Sequence, residues 1–269
     1  MPELPEVETI ANGLHKRVAG DRIESVWIGS KPEPLKSPAR EISGTLEGAG
    51  IERVRRVGKH IVVDLQSATN PGSQWIVHLG MTGKMLVAAP EAEMPPHTHL
   101  VARLASGREL RFVDPRRFGR LEVRRSGFSG PGAEPLEISP DEFAAMFHRS
   151  KAPIKAALLN QKLLHGVGNI YADEALARAG IRPRRRANTL SRAELRKLHA
   201  GMQKVLQAAI AAGGSSISDY VDADGEEGFF QIQHRVYGRE GKPCRKCKTA
   251  IKKIVVAGRG THYCPKCQK

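Results

Sequence analysis

The 269-residue chain contains no run approaching the roughly 18 apolar residues of a bilayer-spanning helix, which excludes that class of membrane protein. Its first 20 residues lack a basic segment followed by an apolar one, so no secretory signal is expected and a cytoplasmic protein is the default. No cysteine occurs before residue 244. No internal repeat or low-complexity tract is present, which sets aside repeat architectures. Acid is also short: 28 Asp and Glu stand against 43 Lys and Arg, for a formal charge of +15. Such an excess points to a polyanionic partner, with nucleic acid first. The bases are unevenly placed, with ten of them and one acid, Glu240, in residues 238–269.

Against that background the opening MPELPEVE is unusual, with three glutamates and two prolines. Val7, Ile10, Leu14 and Val18 fall at helical spacing, so a helix is expected over 5–19, with Pro5 in its first turn. Short strands follow at 22–29, 59–65, 75–79, 84–88, 98–105, 108–113 and 119–124, a spacing that suggests a β-sandwich or barrel. The stretch 126–135 reads as a linker, and the texture then turns helical. Ser139 can cap a helix over 140–148, two more helices are expected at 153–163 and 169–179, and Ser191 with Glu194 forms a capping box for a long fourth. Residues 215–237 are polar and glycine-containing, long for a structureless connection and therefore a candidate functional loop.

All four cysteines lie in the tail, as Cys244-x2-Cys247, sixteen residues, then Cys264-x2-Cys267. Four thiolates at this spacing suit one tetrahedral structural Zn(2+). The intervening residues read as a β-hairpin whose turn, near Gly258–Gly260, carries Arg259. Further upstream, KLLHGVGNIYADEAL (162–176) reads as helix, glycine turn and helix. The amides around Gly168 and Asn169 can receive a phosphate, and Asn169 can cap the second helix. At the front, loss of Met1 would leave Pro2 as a free secondary amine. A model α-amino pKa of ~7.7–8.0 leaves roughly a tenth of it unprotonated at neutral pH. Its adduct with an aldehydic carbon is an iminium that stays charged without a proton, and Glu3 beside it can serve as acid or base.

In order along essentially the whole chain, PELPEVET, RVGKHIVV (56–63), HLGMTGKM (78–85), DPRRFG (114–119), GVGNIYADE (166–174) and the cysteine hairpin resemble the formamidopyrimidine-DNA glycosylase / endonuclease VIII family of base-excision repair enzymes. The resemblance implies an α+β multidomain fold. An N-terminal β-sandwich with flanking helices (1–130) would be followed by a helix-two-turn-helix domain (131–237) that includes a lesion loop at 215–237. A zinc-finger β-hairpin (238–269) would complete the chain, with DNA between the first two domains. It implies catalytic roles for Pro2, Glu3, Lys59 and Arg259, and DNA contacts from His97, Arg116, Lys155, Asn169 and Arg259. Met81, Arg116 and Phe118 would fill the gap left by an extruded base, and Glu6 and Glu174 would lie in or near the pocket. The cofactor implied is one structural zinc, the partner is damaged double-stranded DNA with no membrane, and a monomer is expected.

Within the family, DPRRFG and the long 215–237 segment favour the formamidopyrimidine branch, which excises 8-oxoguanine and formamidopyrimidines and cleaves the abasic strand by β,δ-elimination. Ser218 departs from that branch, where Lys or Arg is usual. Two alternatives stand beside this reading: an endonuclease VIII-like enzyme for oxidised pyrimidines, and a non-catalytic zinc-dependent DNA-binding protein with no use for Pro2 or Glu3.

Overall fold

The structure is a computed structural model that describes residues 1–125, 127–215 and 228–269. The chain divides into two compact units, Met1–Ser129 with Gly213–Phe229, and Gly130–Ala212 with Phe230–Lys269. The described ends of the 215–237 segment therefore fall into different units, and the cysteine hairpin shares a unit with the helices. Ser218 and the acids between residues 219 and 227 lie outside the described residues.

The first unit opens with helix α1 (Leu4–Val18), whose Val7, Ile10, Ala11, Leu14 and Val18 form one buried stripe. Two antiparallel four-stranded sheets come next. One has the order β1 (Ile23–Ile28), β6 (Thr98–Leu104), β7 (Glu109–Val113), β5 (Lys84–Ala88); the other has β2 (Gly50–Val57), β3 (His60–Gln66), β4 (Gln74–His78), β8 (Arg120–Arg124). Leu100, Ala102, Leu110 and Phe112 of the first sheet and Val54, Ile61, Val63, Trp75 and Val77 of the second share one apolar core with α1. This is the sandwich that the strand spacing suggested.

Two elements had no clear sequence signal. Strand β2 reads GIERVRRV, and its buried residues, Ile51 and Val54, are three apart rather than two. A register shift between Ile51 and Arg53 explains this, because an extra residue reverses the facing of the remainder of the strand. Helix α2 (Ala39–Leu46) buries only Ile42 and Leu46 and contains Gly44 and two hydroxyl residues, a weak helical pattern.

In the second unit, α3 (Pro140–His148) begins at the expected Ser139 cap, and α6 (Arg192–Ala211) at the expected Ser191–Glu194 capping box. The Arg185 guanidinium beside Glu194 holds that carboxyl down at about 2. Helix α4 is shorter than expected, Ile154–Leu159, because Asn160 turns the chain and its Oδ1 accepts from the Lys162 amide. Helix α5 (Asn169–Ala179) packs on α6, buries Tyr171, Ala172, Ala175 and Leu176, and ends at Gly180, which adopts a left-handed conformation. The hairpin consists of β9 (Lys252–Val256) and β10 (Arg259–Tyr263). Its turn is Ala257–Gly258, both with positive φ, so Arg259 opens the returning strand rather than sitting at the tip.

Candidate active site and zinc centre

Pro2 is buried beneath an exposed Met1, immediately ahead of α1. Glu3 is the N-cap residue of that helix and is only 3% exposed. The Glu6 carboxylate fixes this end of the chain from two sides: it accepts from the Glu3 amide at 2.8 Å and from the Ser215 amide at 2.8 Å. Glu6 thus ties the start of α1 to the beginning of the 215–237 segment. Acids at this position also face the positive end of the helix dipole. Removal of Met1 would uncover the Pro2 nitrogen beside a carboxylate whose backbone is already immobilised.

Lys59 lies in the two-residue turn between β2 and β3, where Gly58 supplies the positive φ. Its side chain is nearly buried, at 7% exposure. Arg56 braces the turn by pairing with Glu8 of α1 at 2.5 Å and donating to the Gly58 carbonyl at 3.2 Å. The helix that begins at Glu3 and the turn that carries Lys59 are therefore mechanically joined.

Met81, Arg116 and Phe118 are all on the surface of the first unit. Phe118 and Met81 are 52% and 42% exposed, too much for the core residues that their type alone would suggest. The Arg116 guanidinium stacks 4.9 Å from the Phe118 ring. Beneath them lies Asp114, fully buried, an organising residue that DPRRFG contained without advertising its role. One of its oxygens accepts from Thr82 Oγ1 at 2.6 Å and from the Arg116 amide at 3.3 Å, and the other accepts from the Gly119 amide at 2.7 Å. Asp114 thereby fixes the 116–118 loop against the turn that bears Met81. Gly80 is needed at that crossing: its φ is +61°, and a Cβ there would come within 2.5 Å of the Phe118 backbone. His97 is exposed with a φ of +66°, and its carbonyl accepts from the Asp114 amide at 3.0 Å.

In the second unit Lys155 has no solvent exposure, contrary to the DNA contact expected of it. Its ammonium pairs with Asp173 at 2.7 Å and donates to the Gly260 carbonyl at 3.1 Å and to Thr261 Oγ1 at 2.8 Å. Asp173, equally buried, accepts from the His262 amide at 2.7 Å. Asn169 Nδ2 also donates to the Gly260 carbonyl, at 3.1 Å. The cap of α5 is Gly168, not Asn169. Three side chains from α4 and α5 thus seize the strand just after Arg259, which remains exposed. Glu174 is buried, and its carboxylate accepts from the amides of Arg235, Val236 and Tyr237 at 2.9–3.0 Å. That makes it an anchor for the chain ahead of the finger.

The sulfurs of Cys244, Cys247, Cys264 and Cys267 all lie within 4.8 Å of one another. Four sulfurs at ~2.3 Å from a tetrahedral ion would be about 3.8 Å apart, so this cluster fits zinc with little adjustment. None of the four is in a disulfide. The finger carries one structural zinc ion.

The chain matches three family descriptions in sequence: the formamidopyrimidine-DNA glycosylase N-terminal domain over residues 1–121, its H2TH domain over 130–221, and a zinc finger found in FPG and IleRS over 241–269. In that order they define a class, the DNA glycosylases with an appended zinc finger. The formamidopyrimidine-DNA glycosylase of Solibacter usitatus is 45% identical over 278 residues, with both chains fully covered. A variant of Lactococcus lactis FPG, solved with Fapy-dG-containing DNA, superposes with a TM-score of 0.89 at 35% identity and full coverage of both chains. The same species' Fpg solved with abasic-site DNA gives 0.88 at 35%, covering 99% of each. The chain belongs to the formamidopyrimidine-DNA glycosylase family.

Proposed function

We propose that this chain excises oxidised purines, 8-oxoguanine and formamidopyrimidines, from duplex DNA and cleaves the abasic strand, with Pro2 as the nucleophile. The observation that carries this reading is the N-terminal arrangement: a proline one residue from the chain start, followed by a buried glutamate whose backbone is held by Glu6. A binding module has no need of such an arrangement.

With Met1 removed, the Pro2 nitrogen attacks C1′ of the damaged nucleoside and the glycosidic bond to the base breaks. Glu3 delivers a proton to the sugar ring oxygen, the ring opens, and C1′ becomes an iminium of Pro2. The iminium acidifies C2′. Loss of that proton expels the 3′-phosphate, a second elimination expels the 5′-phosphate, and water frees the remaining fragment from Pro2. Lys59 and Arg259 hold phosphates close to the lesion, with His97 and Arg116 contributing further DNA contacts. Asn169 and Lys155 act through the hairpin strand that presents Arg259, and Glu6 and Glu174 act as backbone anchors. Met81, Arg116 and Phe118 enter the space left by the extruded base. Domain limits of 1–130, 131–237 and 238–269 serve these roles. The protein works as a monomer, and its place of action is the bacterial cytoplasm, on the chromosome.

Borohydride reduction during reaction with an 8-oxoguanine duplex tests the assignment. The expected result is a covalent adduct at Pro2, abolished by one extra residue ahead of it while lesion binding persists. An adduct on Lys59 of the processed protein would refute it. An equal rate on a thymine-glycol duplex would favour the pyrimidine branch instead.

A further inference from the structure

Beside the zinc finger, within the second unit, is a cavity of about 500 Å³ whose cationic side chains none of the roles above uses. Its wall includes Ala177, Val236 and three of the zinc-ligating cysteines, and four cations line it: Arg178, Arg235, Arg245 and Lys246. Among the described residues, no carboxylate lines it. The nearest relevant acid is Glu174, whose two oxygens are engaged by the three amides already described. A zinc ion with four thiolates carries about two negative charges. Even counting those and Glu174, the surroundings keep a positive surplus.

Arg178 is the most telling of the four. Its side chain is half-buried on α5, and among the described residues its Nε is shielded from solvent with no hydrogen-bond partner. Burial, then the neighbouring Arg235 charge, presses its pKa below the usual arginine value, with Glu174 opposing. A shielded guanidinium nitrogen without an acceptor is unfavourable, and proteins seldom keep one without compensation. Arg235, Arg245 and Lys246 stand exposed around it. Arg245 donates to the Ile232 carbonyl at 2.6 Å, which fixes its direction.

We propose that this cavity is a second anion site that takes a phosphate-bearing ligand of about mononucleotide size, with Arg178 as its innermost contact. Guanidinium groups suit phosphate through paired hydrogen bonds, and the volume falls within the range of small-molecule sites. The phosphate can come from a free mononucleotide or from the 5′ end of a short single strand.

The test uses the zinc-loaded full-length protein and two probes, dGMP and a 5′-phosphorylated trinucleotide, with deoxyguanosine as the phosphate-free control. Calorimetry and thermal unfolding are read together. The expected result is a bound phosphorylated probe, no response to deoxyguanosine, and loss of binding by ~10-fold or more in Arg178→Met, as befits removal of a charge-assisted bond. Arg178→Met should also unfold at an equal or higher temperature without ligand, since it removes a shielded, unpaired Nε. The exposed Arg235→Ser and Lys246→Ala variants should each weaken binding several-fold, and they decide the matter if Arg178→Met does not fold. Cleavage of abasic DNA should be unchanged in all three. Whichever probe binds more tightly identifies the source of the phosphate. Absence of binding by both probes, or binding untouched by these substitutions but lost in Lys59→Ala, would overturn the proposal.

Discussion

The buried Lys155–Asp173 pair offers the sharpest test of how the finger is aimed. Both groups are inaccessible to solvent, and the Lys155 ammonium reaches Asp173 and, on the hairpin strand, the Gly260 carbonyl and Thr261 Oγ1. Lys155→Met keeps the volume and removes the charge, leaving the Asp173 carboxylate buried without its cation. Breaking such a pair from one side costs about 3–5 kcal/mol. The strain falls on the docking of β9–β10 onto α4 and α5 rather than on the first unit. If half of it appears as loss of the aligned Arg259, DNA affinity falls by about 2 kcal/mol, roughly 30-fold. Hydrogen exchange at the 259–263 amides should accelerate, and anisotropy at one fixed salt concentration should show the weaker binding. The second substitution Asp173→Asn removes the stranded charge while leaving an oxygen for the His262 amide. It should restore at least about 1 kcal/mol to Lys155→Met, the scale of coupling between contacting residues. The reasoning fails if Lys155→Met binds abasic DNA as the parent does with unchanged exchange, or if the double variant is no better than the single. A direct phosphate contact by Lys155 would produce weak binding with a quiet hairpin, so the two accounts separate.

The zinc centre and the Arg116–Phe118 pair yield three further outcomes. Cys264→Ser, or removal of zinc by a strong chelator, should weaken duplex binding while the first unit keeps its circular dichroism and cooperative unfolding; undiminished binding by zinc-free protein would contradict it. Phe118→Ala should slow excision of a paired lesion more than cleavage at a preformed abasic site, where much of the unstacking cost of a few kcal/mol is already absent, and Arg116→Ala should relax the opposite-base preference; equal losses on every substrate in single-turnover assays would mark both residues as structural.

The strands, the long helices, their caps and the metal ligands were legible because each depends on local chemistry. Ser139 and Ser191 cap helices with their own side chains, and the paired cysteines fix a metal by spacing alone. Strand β2 was hidden by its bulge and α2 by its sparse apolar face. The site was less legible where a side chain's role depends on partners far along the chain. Lys155 looks like any surface lysine until Gly260 and Thr261, 105 and 106 residues away, are brought to it. Asp173 sat in a motif with no assigned task, because the His262 amide it holds becomes its neighbour only in the fold; Asp114 holds amides within its own motif, and its distant partner is the Thr82 hydroxyl. Met81 and Phe118 have the composition of core residues, and only their exposure distinguishes them.

Acid and base divide the labour in this chain by depth. The acids that matter are buried and each engages backbone amides: Glu6 at the start of α1, Asp114 under the exposed Arg116–Phe118 pair, Asp173 behind β10 and Glu174 ahead of the finger. A carboxylate that accepts several amides positions backbone more rigidly than a single neutral contact does, because charge-assisted bonds are the stronger ones. The surplus bases, by contrast, remain largely at the surface, Arg116 and Arg259 among them. A polyanion can therefore be recruited by the surface charge without disturbing the carboxylates, while those carboxylates fix the strands and loops that meet it. Exchanging Asp114 for Asn would leave the surface charge almost unchanged yet weaken the grip on the Gly119 and Arg116 amides. Long-range attraction and local aim are thus separable properties of this fold, governed by different residues of opposite sign.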